Sequence, residues 1–256
     1  MILPPAIMMA IDGWLAALEQ RHLANLTRSE LTRALRALSS CYVERRDKLA
    51  GGGALEGAGK RAAFALFYGP IHFLTVDAVV RALGANMRPL HTIHDLGCGT
   101  GVGGAAWALA CATPPAIHGI DRSAWAVAEA NWTYSQLGVR GRAKAGDVVR
   151  DFQIPKFPDS PILLAYAVNE LPAATRSALL EKLVAATGQG ASLLIVESIA
   201  RRDKEWWPEW ETRLGVQGAR ADEWRFPSNL PLTLRQLAKG AGLDPRELTA
   251  RTIHKP

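Results

Sequence analysis

Cysteine is scarce in this sequence. The three present, Cys41, Cys98 and Cys111, form neither a CxxC pair nor a His/Cys cluster at metal-ligand spacing. That excludes a disulfide framework and a zinc module, and makes a reducing, cytoplasmic compartment the expectation. No internal repeat or low-complexity block is present, which excludes a repeat array. The apolar opening MILPPAIMMAIDGWLAAL has no basic leader and is interrupted by Pro4, Pro5 and Asp12, which argues against a signal peptide or a membrane span. Its Ile7, Ile11, Trp14, Leu15 and Leu18 recur at helical spacing instead, and predict a docked amphipathic helix.

The chain has 256 residues, 48% of them hydrophobic and 21% charged, enough for one large core with a small appendage. Thr27 and Glu30 stand in capping-box relation ahead of Leu31, Leu35 and Leu38, so a second helix begins there. Its outer face carries Arg28, Arg33 and Arg36, followed by Arg45, Arg46 and Lys48. With a net charge of +6, that face is a candidate contact for RNA, against the plain alternative of a solvated surface. Glycines at 51–53, 57 and 59 end this region. The expected organisation is an N-terminal helical extension over residues 1–58 and one domain over residues 59–256.

Residues 60–83 read as two helices divided at Gly69-Pro70, because proline cannot donate an interior helical hydrogen bond. From Thr92 the rhythm changes to short strands, 91–96, 116–120, 142–145, 162–166 and 192–196, alternating with helices at 103–112, 123–137 and 175–187. Such alternation implies a parallel sheet covered by helices on both faces. A helix at 232–241 and a strand at 247–253 follow. Only that one strand is plain beyond the fifth.

The glycine-rich stretch HDLGCGTGVGG, residues 94–104, can be read in two registers. Gly99, Gly101 and Gly104 satisfy the dinucleotide pattern GxGxxG, with Asp121 at the distance of a ribose acid. That register leaves Asp95 a carboxylate in the strand without a task. The other begins at Asp95 and takes Gly97, Gly99 and Gly101 at alternate positions, with the acid at the end of the strand where open α/β sheets hold ligands.

In this second register the chain resembles the class I S-adenosylmethionine-dependent methyltransferases, whose first motif is an acidic residue followed by alternate glycines. The resemblance implies an α/β, Rossmann-like methyltransferase sheet with helices on both faces and an N-terminal helical cap. It also implies S-adenosylmethionine as cofactor and S-adenosylhomocysteine as product. Asp95 would then take the amino group, directly or through water, while the glycines let backbone approach the ligand. Asp121, in HGIDRS, would accept the ribose hydroxyls. Asp147 and Val148, in AGDVV, match the family's adenine contact, an acid beside an apolar wall. Cys98, Arg122 and Tyr166, beside these motifs, complete the candidate cofactor set. For Asp121 the plain alternative is a helix cap, and for Asp147 a turn.

At the end of the fourth strand, in AYAVNELPAATR, Asn169 and Glu170 are the candidate catalytic pair. Asn169 would orient the acceptor and Glu170 would serve as base or hydrogen-bond acceptor, unless Glu170 merely caps or pairs. Tyr68, His72 and Trp206 are candidates for the substrate pocket, with core packing the alternative for Tyr68. The group Trp206, Trp207 and Trp210 reads as a helical lid. NELP, together with DLGCGTG, GIDRS and the helical extension, is similar to the methyltransferase-like proteins linked to mitochondrial small-subunit ribosome assembly and to their bacterial relatives. That similarity covers about residues 59–197. Those relatives carry C-terminal cysteines that can hold a metal cluster, and this chain has none after Cys111, so no metal cluster is expected. The expected function is a methyltransferase with unresolved acceptor. The alternatives are a cofactor-binding assembly factor with little turnover and a small-molecule methyltransferase under a Trp-rich lid.

Overall fold

The structure is a computed structural model that describes residues 5–44, 57–155, 159–200 and 205–256. The side chains of Ile7 and Cys41, and residues 45–56 with their basic and glycine clusters, lie outside the described residues.

In chain order the helices α1 (Pro5–His22), α2 (Arg28–Glu44), α3 (Ala58–Ala63) and α4 (Gly69–Leu83) come first. The alternating part follows as β1 (Thr92–Leu96), α5 (Val102–Ala110), β2 (Ala116–Asp121), α6 (Ala124–Gln136), β3 (Gly141–Ala145), β4 (Ile162–Ala165), α7 (Ala173–Gly188) and β5 (Leu193–Glu197). Then come α8 (Trp207–Gly215), β6 (Arg220–Pro227), α9 (Leu232–Ala241) and β7 (Glu247–Lys255). The chain divides into two compact units, Met1–His72 with Phe226–Leu248, and Phe73–Arg225 with Thr249–Pro256.

In the first unit the capping box forms as expected. The Thr27 N–H donates to Glu30 Oε2 at 2.8 Å, and the Glu30 N–H donates back to Thr27 Oγ1 at 3.2 Å. Ile11, Trp14, Leu15 and Leu18 of α1 and Leu31, Leu35 and Leu38 of α2 are buried. Arg28, Arg33 and Arg36 are exposed, and Arg36 also donates to Gly240 O of α9 at 2.6 Å. The expected division at Gly69-Pro70 is corrected. Phe64–Tyr68 forms a π turn in which the Gly69 N–H reaches back to Phe64 O, and the helical path runs on from Ala58 to Leu83. Widening the hydrogen-bond ring ahead of Pro70 accommodates its missing N–H at the start of α4 without a break. Among the described residues this is the one helix long and apolar enough to cross a membrane, and 83% of its apolar window is buried inside the protein.

The seven strands form one sheet in the order β3-β2-β1-β4-β5-β7-β6. The pairs β3–β2, β2–β1, β1–β4 and β4–β5 are parallel, and β7 runs antiparallel to β5 with Ile195 opposite Ile253. Side chains alternate across β1, so Asp95 faces α5 while Leu96 enters the apolar cluster built from β4, β5, α7 and α8. Helices therefore cover both faces. β6 was not expected from its sequence, RADEWRFP, because it is an edge strand with charged side chains and only partial burial. Tyr166 falls just outside β4, since its φ of 58° is incompatible with a strand.

Candidate functional site

The carboxyl ends of β1, β2, β4 and β5 gather most of the residues singled out by the motifs. The loop after β1 turns sharply because Gly97, Gly99 and Gly101 all adopt positive φ, at 69°, 52° and 79°. A Cβ at Gly97 would lie 2.6 Å from Ala167 Cβ, and one at Gly101 would lie 2.7 Å from the Tyr134 ring. At Gly99 a Cβ would meet nothing within 4 Å. Gly97 and Gly101 thus let the loop press against the protein, whereas Gly99 borders open space.

Asp95 is 1% exposed, and its Oδ2 accepts the Gly104 N–H at 3.0 Å. Burial lifts its carboxyl to about 7; the Gly104 hydrogen bond opposes the shift and the Asp121 charge adds to it. Asp121 closes β2 and is held from two sides, by the Gly99 N–H on Oδ2 at 2.9 Å and the Ser123 N–H on Oδ1 at 2.8 Å. The cap of α6 is Ser123, whose hydroxyl accepts the Ala126 N–H. Asp121 therefore bridges the glycine loop and the start of the next helix.

The remaining candidates are placed less uniformly. Asp147 Oδ1 accepts the N–H groups of Val149 and Arg150 at 2.9 and 2.8 Å, a turn that holds its carboxyl below the usual range. Val148 is buried in the apolar cluster beside Leu96, Ile120 and Phe152. The Cys98 side chain is turned into the interior. A Cβ on Gly119 would lie 2.8 Å from its sulfur, and burial pushes the thiol well above its ordinary range, so only its backbone borders the loop. Arg122 is exposed. Tyr166 bonds Thr75 through its hydroxyl, and burial raises that hydroxyl's pKa.

Asn169 and Glu170 lie on a 3-10 turn, Val168–Glu170, beside the end of β5. The Asn169 N–H donates to Glu197 Oε1 and its Oδ1 accepts the Trp206 indole N–H, both at 3.3 Å. Burial raises the Glu170 carboxyl to about 7, with the charges of Glu197 and Asp121 adding and Arg122 opposing. The expected lid is corrected. Trp206, Trp207 and Trp210 are all core residues, with Trp206 and Trp210 rings 5.1 Å apart, because each indole finds more apolar surface inside than a lid would offer. Trp206 reaches the site through its N–H alone. Tyr68 and His72 belong to the first unit, where their rings lie 6.2 Å apart and burial lowers His72 to about 3.

Two residues outside the motifs belong to this edge, Thr75 and Glu197. Glu197 carries the same signal as Asp95 and Asp121, an acid closing an apolar strand. Thr75 carries none, being one small residue inside an apolar helix.

The loop fits an extended polar ligand on two observations. Open space lies above Gly99, and the buried Thr100 hydroxyl has no hydrogen-bond partner among the described residues. Asp95, Asp121 and Asp147 would hold the amino, ribose and adenine ends. Among the described residues, no group of three or more His, Cys, Asp or Glu side chains is arranged to hold a metal ion.

No family model and no curated protein matches the chain. Solved structures do. Mitomycin 7-O-methyltransferase aligns over 94% of this chain and 71% of its own, at 14% identity and a TM-score of 0.52. Magnesium protoporphyrin IX methyltransferase from Synechocystis PCC 6803, with bound S-adenosylmethionine, aligns over 72% and 78%, at 19% identity and 0.49. A S-adenosylmethionine-dependent methyltransferase from Corynebacterium glutamicum aligns over 86% and 99%, at 18% identity and 0.45. The mitomycin enzyme's alignment, together with the strand order, gives this chain the Rossmann-like α/β fold of class I methyltransferases.

Proposed function

We propose that the protein is an S-adenosylmethionine-dependent methyltransferase. The observation that carries this reading is the contact of the Gly99 N–H with Asp121 Oδ2 at 2.9 Å, which joins the open glycine turn to a strand-end acid. What sets this chain apart from a dinucleotide fold is the sheet: the dinucleotide order 3-2-1-4-5-6 lacks the antiparallel strand that β7 inserts beside β5.

When bound, S-adenosylmethionine supplies a methyl group on a sulfonium. The chain's own contribution is alignment and proton handling. Asn169 orients the acceptor. Glu170, as carboxylate, would take the proton that an acceptor N–H or O–H gives up on receiving the methyl group. The acceptor is unassigned, and the cytoplasmic setting in this proposal rests on cysteine usage.

A second reading, an RNA-associated assembly factor like the mitochondrial small-subunit proteins, is supported by one feature of the first unit. Arg28, Arg33 and Arg36 line, with Ser29 and Thr32, a surface depression of about 440 Å³. Calorimetric titration with S-adenosylmethionine and with NAD, then methyl-label transfer into RNA, protein and metabolite fractions, tests both readings. Binding of NAD alone would overturn the first. Binding of S-adenosylmethionine and RNA without label transfer would favour the second.

A further inference from the structure

The chain leaves β4 through a segment that local preference does not explain. Tyr166 sits at φ 58°, a left-handed value that strains a side-chain-bearing residue and persists only where surroundings enforce it. Two fastenings come from β5. The Tyr166 N–H donates to Val196 O at 2.8 Å, and the Asn169 N–H donates to Glu197 Oε1 at 3.3 Å. A third comes from Trp206, whose indole N–H donates to Asn169 Oδ1. Glu197 closes β5 and is 3% exposed, so its carboxylate acts on this turn from inside the protein.

We propose that Glu197 is a positioning residue for methyl transfer: its carboxylate fastens the Val168–Glu170 turn to the end of β5 and brings its charge beside that turn. This rests on the methyltransferase reading above. The role is dual, and the two parts separate chemically. Hydrogen-bond acceptance by Oε1 needs only an oxygen, which glutamine also provides. The influence on Glu170 needs the charge. The charged groups that bear on Glu170 are Glu197 from β5, Asp121 from β2 and Arg122 just after β2. The first two oppose its ionisation and Arg122 favours it, with burial as the largest contribution. Removing the Glu197 charge therefore lowers the Glu170 midpoint but leaves the burial contribution in place, so the midpoint stops above the ordinary carboxylate range. Glu170 then remains a carboxylate at lower pH and becomes a weaker base.

The test uses the full chain carrying glutamate labelled with carbon-13 at the side-chain carboxyl. The Glu170 resonance is identified by its disappearance in Glu170→Gln. In the wild type it is expected to titrate near pH 7. In Glu197→Gln its midpoint is expected to fall by about one pH unit, while hydrogen exchange at the Asn169 amide stays as slow as in the wild type. In Glu197→Ala that exchange is expected to accelerate about tenfold or more. If the alanine variant does not fold, Glu197→Asp, one methylene shorter, provides the exchange measurement. An unchanged Glu170 midpoint in Glu197→Gln, or unchanged Asn169 exchange in the shortened variant, overturns the proposal. Calorimetry of the wild type with S-adenosylmethionine is a separate arm. Absence of binding there overturns the methyltransferase reading, whatever the resonance data show.

Discussion

Gly104 donates its backbone N–H to Asp95 Oδ2 at 3.0 Å, and a Cβ on Gly104 would stand 2.8 Å from that same oxygen. The contact ties the start of α5 to the end of β1 and leaves no room for a side chain. Ile117 blocks the other direction, also at 2.8 Å. Gly104→Ala must therefore displace the helix or the acid. Urea denaturation is expected to show a loss of about 1–3 kcal/mol, the usual range for overpacking a tight core. A stability equal to the wild type would mean that the Asp95 carboxylate is free to move.

Gly99→Ala makes the opposite case. No atom lies within 4 Å of its would-be Cβ, so the folded chain meets only the strain of φ 52°, about 1–2 kcal/mol. The added methyl would stand in the space assigned to the cofactor. Calorimetry should show S-adenosylmethionine affinity reduced at least about tenfold, equivalent to about 1.4 kcal/mol. Retained affinity would place the cofactor elsewhere.

Asp95 also makes a pH prediction with a definite sign. Its folded-state carboxyl is raised to about 7 from an ordinary 3.8, so the folded chain holds a proton that the unfolded chain releases between those values. Its stabilising contribution is complete below about pH 4 and is lost as pH rises through 7. His94 and His254, both lowered to about 4 by burial, act in the opposite direction and gain stability up to about pH 6.5. Comparing Asp95→Asn with the wild type cancels the histidines. The asparagine variant is expected to gain stability relative to the wild type as pH rises from 4 to 8, by chemical denaturation at each pH. A pH-independent difference would show that Asp95 ionises normally.

These residues were legible because their signals are local. An acid after an apolar strand and glycines at alternate positions place Asp95, Asp121 and the loop without knowledge of the fold. β6 was not legible, because an edge strand needs one partner and little burial, and Arg220, Asp222, Glu223 and Arg225 erase its alternation. The positive φ of Tyr166 is enforced from β5 and Thr75, which are distant in sequence. The tryptophans were misread for a related reason. Their spacing is that of a helix face, and spacing does not say whether that face meets solvent or core.

The tryptophan cluster gives a pair of contrasting variants. Trp210 is 1% exposed and Trp206 stacks edge-on against it, so Trp210→Ala is expected to cost about 3–5 kcal/mol in chemical denaturation. Trp206→Phe keeps much of the ring packing and removes the N–H to Asn169 Oδ1. Its stability loss should be nearer 1 kcal/mol, roughly one hydrogen bond, with methyl transfer reduced more than stability. Equal effects of Trp206→Phe on both would reduce Trp206 to packing alone.

The basic face of α2 separates the two functional readings. Arg28 and Arg33 are exposed, and neither makes the Gly240 contact by which Arg36 holds α9; Arg28 pairs with Glu19 of α1 at 3.6 Å, a solvent-exposed ion pair that contributes little, so both can be neutralised without loosening α2 from α9. If the depression they line receives a phosphate backbone, the double variant Arg28→Gln, Arg33→Gln loses about two counterion-releasing contacts. The slope of log affinity for single-stranded RNA against log salt should then fall by about 1.4, with S-adenosylmethionine binding unchanged. An unaltered slope removes this face from RNA recognition and leaves the methyl acceptor to be sought among proteins and small molecules.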